Sequence, residues 1–72
     1  MIFNYYPDTD SLYIDLLDKP GVEALEVRPG VVLDFDEAGT LVGIDIDHAS
    51  VNVDLKSIQV RSLPTREVAL VA

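Results

Sequence analysis

The feature that most constrains the fold is a series of short alternating segments separated by turn-forming residues. Ile2–Tyr6 is aromatic and β-branched, and Val31–Phe35 alternates large apolar side chains with smaller or charged ones. Pro7, Pro29 and Gly30 interrupt the chain before any helical periodicity develops. Alternation with period two over short segments is typical of strands that bury one face. Residues 1–48 are therefore predicted to form antiparallel β-structure.

Turn chemistry sets the expected bounds of these strands. In the turn at 18–21, Pro20 fixes φ and Gly21 accepts a positive φ, as a type II turn requires. Gly39 is predicted to take the left-handed conformation in a hairpin loop at 36–39. The predicted strands are 2–6, 11–17, 22–28, 31–35 and 41–47.

After His48 the pattern changes. Ser50 is a candidate N-cap, and one helical turn is predicted between about residues 49 and 57. Residues 58–62 alternate again and 67–72 are apolar, which predicts further strands, the last one completing the sheet or lying at its edge. We therefore expect an α+β, mainly β fold: one small domain over residues 1–72, an antiparallel β-meander with at most one short helix.

A sheet of this size needs a cover for its apolar face. With 72 residues and a mass of 7.9 kDa, the chain buries only about 60% of the surface that its unfolded form exposes. The expected helix is too short to cover the sheet, so the sheet must curl on itself or pack face to face against another copy. A homodimer is therefore the simplest expected assembly.

Acidic residues dominate the segment that forms the predicted sheet. The chain has 13 Asp and Glu against 5 Lys and Arg, a formal net charge of −8. Residues 1–48 hold 11 acids against two bases, Lys19 and Arg28, which leaves −9 there and +1 in the last 24 residues. This charge repels phosphate backbones, so direct nucleic-acid binding is not expected. The acidity forms either a solvated surface or a complementary face for a basic protein.

Several classes of protein are disfavoured by what the sequence lacks. Without cysteine there is no disulfide scaffold, thiolate metal site or thiol nucleophile. One His and four Ser offer little with which to build a catalytic base and nucleophile, so neither enzymatic activity nor a cofactor is expected. The longest stretch without a charge, 38–44, is far shorter than a membrane span, and the N-terminus lacks a basic leader. We expect no membrane association and a cytoplasmic location.

Two acidic patterns partly match metal-binding sites. Asp34, Asp36 and Gly39 fall at calcium-loop positions, but Ala38 occupies a ligand position and the flanks are predicted strands, so a hairpin is favoured. Asp45 and Asp47 share a strand face, whereas His48, next in sequence, is expected to point away from them. No metal site is predicted, and divalent-metal binding is retained as a remote alternative.

The remaining interpretation of the acidic residues is recognition of another protein. We predict that four carboxylates steer a basic partner, which is then docked by strand edges or by the apolar tail at 68–71. On this hypothesis the chain is a non-enzymatic protein-binding module, and the alternative is a homodimeric structural protein. The predicted partner-binding residues are Asp34, Asp36, Asp45 and Asp47.

Several segments together resemble a known family. They are residues 6–14, 26–36 and 39–46, followed by Ala49 and Ser50. The family comprises small prokaryotic proteins catalogued as the domain of unknown function numbered twenty-two eighty-three. The resemblance implies a small sheet protein without assigned catalytic residues. It also implies an antitoxin-like role, because some relatives are encoded beside small basic proteins resembling ribonuclease-type toxins.

Overall fold

Five strands form one antiparallel sheet in the computed structural model, which describes residues 1–65 and 67–71. A single helical turn follows the last strand, as the sequence predicts. The fold class is therefore confirmed as mainly β with one short helix. The elements are β1 (Ile2–Tyr6), β2 (Ser11–Asp15), β3 (Glu23–Arg28), β4 (Val31–Phe35), β5 (Leu41–Ile46) and α1 (Ala49–Asn52).

The spatial order of the strands is β1-β2-β5-β4-β3. The chain follows a meander through β3, β4 and β5, and β5 then pairs with β2. The turn predicted at 18–21 consequently lies within a connection, residues 16–22, that leads from the interior strand β2 to the far edge of the sheet. This connection is held by backbone hydrogen bonds from Leu16 N–H to Val42 O (2.9 Å) and from Val22 N–H to Phe35 O (2.8 Å).

The strand bounds differ from the predicted ones at a few ends. β1 and β4 have the predicted limits, but β2 ends at Asp15 rather than at residue 17. It ends early because Leu16 and Leu17 both donate their N–H groups to Val42 O. The predicted left-handed conformation holds at Gly39, which has a φ of 82°. Gly21 has no positive φ, so the type II turn predicted at 18–21 is wrong.

Strand register gathers the large apolar side chains on one side of the sheet. Phe3, Ile14, Ile44, Leu33 and Leu25 form one row across all five strands, and Tyr5, Leu12, Ile46 and Val31 form the adjacent row. We call these nine side chains the apolar face. Leu12 is buried, Phe3, Tyr5 and Leu25 are exposed, and the other five are half-buried, so the face remains partly accessible to solvent.

The buried core is small, in keeping with the size of the chain. Among the described residues the buried hydrophobic side chains are Leu12, Val42 and Ala49. Val42 lies where the pairing of β4 with β5 shifts register, beside the 16–22 connection. It therefore departs from the simple alternation with Ile44 that the sequence suggests.

The C-terminal strands predicted at 58–62 and 67–72 are wrong over the described residues. Within 53–65 and 67–71 no residue is assigned to a strand or helix, and residue 72 lies outside the described part. A strand needs a hydrogen-bonded neighbour, and neither sheet edge takes one from this segment. Leu70 is 97% exposed. In the part of the chain described here, no helix is long and apolar enough to cross a membrane.

Candidate functional site

The side of the sheet opposite the apolar face carries most of the polar strand residues. One row across the five strands is Asn4, Tyr13, Asp45, Val32 and Glu26. The adjacent row is Ile2, Asp15, Gly43, Asp34 and Ala24. We call these ten positions the polar face. Four of them are carboxylates and none is Lys or Arg. Asn4 Nδ2 donates to Asp15 Oδ2 at 3.0 Å, which joins β1 to the charged centre of the sheet.

Tyr13 and Asp34 form the central contact of the polar face. The Tyr13 hydroxyl donates to Asp34 Oδ2 at 2.8 Å across β5. This hydrogen bond, with burial and the nearby carboxylates, raises the pKa of Tyr13 from 10.0 to about 12, because ionisation would place a phenolate beside an existing negative charge.

Gly43 provides the space for this contact. A Cβ at that position would overlap the Tyr13 hydroxyl and lie 2.6 Å from the ring Cζ. The ring can therefore cross β5 only where that strand has no side chain. A glycine inside a strand is the sequence signal for such a close approach, but by itself it does not identify Tyr13 as the residue that crosses it.

Asp45 lies near both Asp34 and Asp47. The pKa of Asp45 is raised above its ordinary value, first by desolvation and then by repulsion from Asp47 and Asp34. Three of the four predicted partner-binding carboxylates thus share one region of the protein. Their mutual repulsion would be relieved by a cation or by a basic side chain.

Asp36, the fourth predicted carboxylate, has a different setting. It is 8% exposed, and its Oδ1 accepts hydrogen bonds from Ala38 N–H (2.9 Å) and Thr40 N–H (2.8 Å). The carboxylate therefore closes the β4–β5 hairpin, which confirms the hairpin interpretation of this segment. It does not join the cluster formed by Asp34, Asp45 and Asp47.

A second polar cluster, which the sequence pattern does not predict, links the β1–β2 turn to α1. Asp10 Oδ1 accepts from the Tyr5 hydroxyl (2.8 Å) and from Ser50 N–H (3.1 Å), and Asp10 Oδ2 accepts from Ser50 Oγ (2.6 Å). We call Tyr5, Asp10 and Ser50 the Asp10 clamp. These hydrogen bonds, the one from Ser50 Oγ first, lower the pKa of Asp10.

The helix start differs from the predicted one because of this clamp. His48, at a φ of 49°, is the N-cap and makes no side-chain capping hydrogen bond. Ser50 lies inside α1 instead, and Asp10 caps the helix from a distant turn. Asp10 itself has a φ of 52°, a conformation that Asp tolerates better than most residues. No local pattern signals this contact, because the two residues are 40 positions apart.

These surfaces present negative charge and hydrogen-bonding groups. Tyr13, Gly21, Val22 and Asp34 help to line a depression that opens to solvent. No group of three or more His, Cys, Asp or Glu side chains that could hold a metal ion occurs among residues 1–65 and 67–71. His48 acts electrostatically on Asp10. The polar face therefore offers acceptors and negative charge at an accessible surface.

Comparison with known proteins gives one match. A family model described as "Protein of unknown function (DUF2283)" matches residues 2–50. The matched range includes all five strands and the Asp10 clamp, and the tail from residue 51 lies beyond it. No curated protein and no solved structure matches the chain.

Proposed function

The chain belongs to the DUF2283 family, and we propose that it is a non-enzymatic protein-binding module whose polar face recognises a basic protein. The observation that carries this proposal is the grouping of Asp45 with Asp34 and Asp47, where desolvation and the negative charges of these two neighbours raise the pKa of Asp45. The two strand rows that hold Asp34 and Asp45 contain no base. A partner's Lys or Arg would therefore meet several acceptors and no competing cation.

The energetic reason for a basic partner is the cost of holding like charges together. Asp45 is partly desolvated beside two other carboxylates. A guanidinium or ammonium group placed among them would form charge-assisted hydrogen bonds and remove the repulsion. The net charge of −8 would also accelerate the encounter with a positively charged protein.

Docking also needs contacts that are independent of charge, and the edge strand β1 supplies them. β1 has no charged residue, whereas the opposite edge, β3, carries Glu23, Glu26 and Arg28. Charged residues on an edge discourage strand addition, so β1 is the edge better suited to pair with a partner's strand. The exposed apolar tail at 68–71 would add further contact area.

In its specific form the proposal is an antitoxin-like role. The partner would be a small basic protein of the ribonuclease-toxin kind that the family resemblance implies, and the acidic module would cover its positively charged surface. The cytoplasm is the proposed location of this pair. Fractionation of host cells would test the location separately from the binding.

The test compares two variants with the same loss of charge. One carries Asp34→Asn, Asp45→Asn and Asp47→Asn, where each amide keeps an oxygen acceptor. The matched control carries Asp8→Asn, Asp18→Asn and Glu37→Gln, three exposed acids outside the polar-face rows. The partner captured from the host would be identified, purified and titrated by calorimetry against each variant.

We expect the polar-face variant to bind at least about tenfold more weakly, a loss of about 1.4 kcal/mol or more, and the control to bind nearly as the wild type does. Affinity should also fall as salt is raised. Equal affinities for the two variants, or a captured partner that is not basic, would contradict the proposal.

A further inference from the structure

The chain exposes more surface than a monomer of its mass should. Its accessible surface is 6107 Å², whereas folded monomers of this size expose about 4,400 Å², which leaves an excess of about 1,700 Å². A stable protein interface takes about 800 Å² from each partner. The exposed tail contributes to this excess, and so does the apolar face, where Phe3, Tyr5 and Leu25 are each about half exposed.

The apolar face is suited to that interface by its shape and composition. One of its rows runs unbroken through all five strands, from Phe3 at one edge to Leu25 at the other. These two side chains are 52% and 54% exposed. Contiguous apolar surface of this extent marks an interaction site in soluble proteins.

Acidic charge is concentrated on one side of the sheet. The polar face holds Asp15, Glu26, Asp34 and Asp45. The side of the apolar face adds to its nine side chains one acid and one base at the β3 edge, Glu23 paired with Phe35 and Arg28 paired with Val31, whose charges cancel. Two copies could join their apolar faces with the carboxylates of the polar face pointing outward. A basic protein would gain no charge complementarity on the apolar face, so a second copy is the better occupant.

We propose that a second copy of this chain covers the apolar face, so that two sheets pack face to face as a β-sandwich with both polar faces outward. Facing sheets pack about 10 Å apart, which leaves room for the two sets of apolar side chains to interdigitate. This inference does not depend on the basic partner. If both hold, the dimer presents two polar faces and binds two partner molecules.

The experiment uses neighbouring residues on opposite sides of β1. Phe3→Asp places a charge on the apolar face, and Ile2→Asp places the same charge on the polar face at a side chain of similar exposure, 59%. Leu25→Asp repeats the test at the other edge of the sheet. Each full-length protein would be analysed by sedimentation velocity over a range of concentrations, with far-UV circular dichroism to confirm folding.

We expect the wild type to sediment as a dimer at about 100 μM. Phe3→Asp and Leu25→Asp should each raise the dimer dissociation constant by at least about tenfold, and Ile2→Asp should leave it nearly unchanged. Higher salt should strengthen the dimer, because it screens repulsion between two copies that each carry −8. Binding of a basic partner should weaken with salt, so the two proposals can fail separately.

Three results would overturn the inference. One is a wild-type monomer throughout the concentration range. Another is an equal rise in the dimer dissociation constant for Ile2→Asp and Phe3→Asp, with no change for Leu25→Asp. That result would indicate that the two copies pair through the β1 edge. The third is loss of the dimer on deletion of residues 58–72, which would indicate that the tail makes the contact.

If the Asp variants fail to fold, the wild type is tested by nuclear Overhauser effects between labelled and unlabelled copies. Contacts from the Phe3 ring of one copy to the apolar face of the other would support the sandwich, and their absence would refute it.

Discussion

At the scale of single residues, the contact between Tyr13 and Asp34 organises the polar face. The phenol binds one carboxylate and lies over Gly43, so an acid on β4 and an aromatic ring on β2 are connected across β5. The folded-state pKa of Tyr13, about 12, lies above its ordinary 10.0. The neutral phenol therefore contributes stability that is fully present below pH 10.0 and is lost as the pH rises through about 12.

Asp34→Asn tests this contact directly. Because the hydrogen bond to Asp34 is the main cause of the raised pKa, we expect the substitution to return the pKa of Tyr13 toward 10.0. The pKa is measured from phenolate absorbance during an alkaline titration. The part of the absorbance change that is missing in Tyr13→Phe belongs to Tyr13. Asp18→Asn is the control for general loss of charge. A Tyr13 pKa that stays at about 12 in Asp34→Asn would show that burial, and not the hydrogen bond, sets it.

At the scale of elements, two carboxylates hold turns and the helix in place. Asp36 closes the β4–β5 hairpin through two backbone N–H groups, and Asp10 fastens α1 to the β1–β2 turn. Both residues are acidic and lie near turns, so the sequence does not distinguish them from acids that are merely solvated at the surface. Their hydrogen bonds assign them to the framework that positions the polar face.

Asp36→Ala is expected to lower the free energy of unfolding by about 1–3 kcal/mol, because the N–H groups of Ala38 and Thr40 lose a partly buried acceptor. Asp36→Asn keeps an acceptor oxygen and should lose less. Urea denaturation followed by circular dichroism measures both. If Asp36→Ala proves as stable as Asp36→Asn, the hairpin does not depend on this side chain.

At the scale of the whole molecule, the sheet has one charged side and one open apolar side, and the tail adds little to it. The described residues between 58 and 71 are exposed and form no strand or helix. The family match also ends before them, at residue 50. The sheet and α1 therefore make up the folded unit.

Deletion of residues 58–72 tests this division. We expect the free energy of unfolding to change by no more than about 0.5 kcal/mol, because the removed side chains make few contacts that exclude water. Urea denaturation at equal protein concentration measures the change, with the full-length chain as reference. A much larger loss would mean that the tail covers the apolar face.

The sequence by itself determined the features that depend on neighbouring residues. Alternation located all five strands, and the left-handed conformation of Gly39 followed from turn chemistry. The same alternation placed Asp34 on the side of its strand opposite Leu33. These predictions succeeded because side-chain direction in a strand reverses at every residue, whatever the strand pairs with.

Only the tertiary structure decided which strands are neighbours, and with that the composition of the site. Placement of β5 between β2 and β4 brings Tyr13, Asp34 and Asp45 together, and chain reversal brings Asp10 to Ser50. In this strand order, neither edge of the sheet pairs with the tail. Local pattern cannot specify these outcomes, because the free energy that selects a pairing comes from hydrogen bonds and burial between segments far apart in the chain.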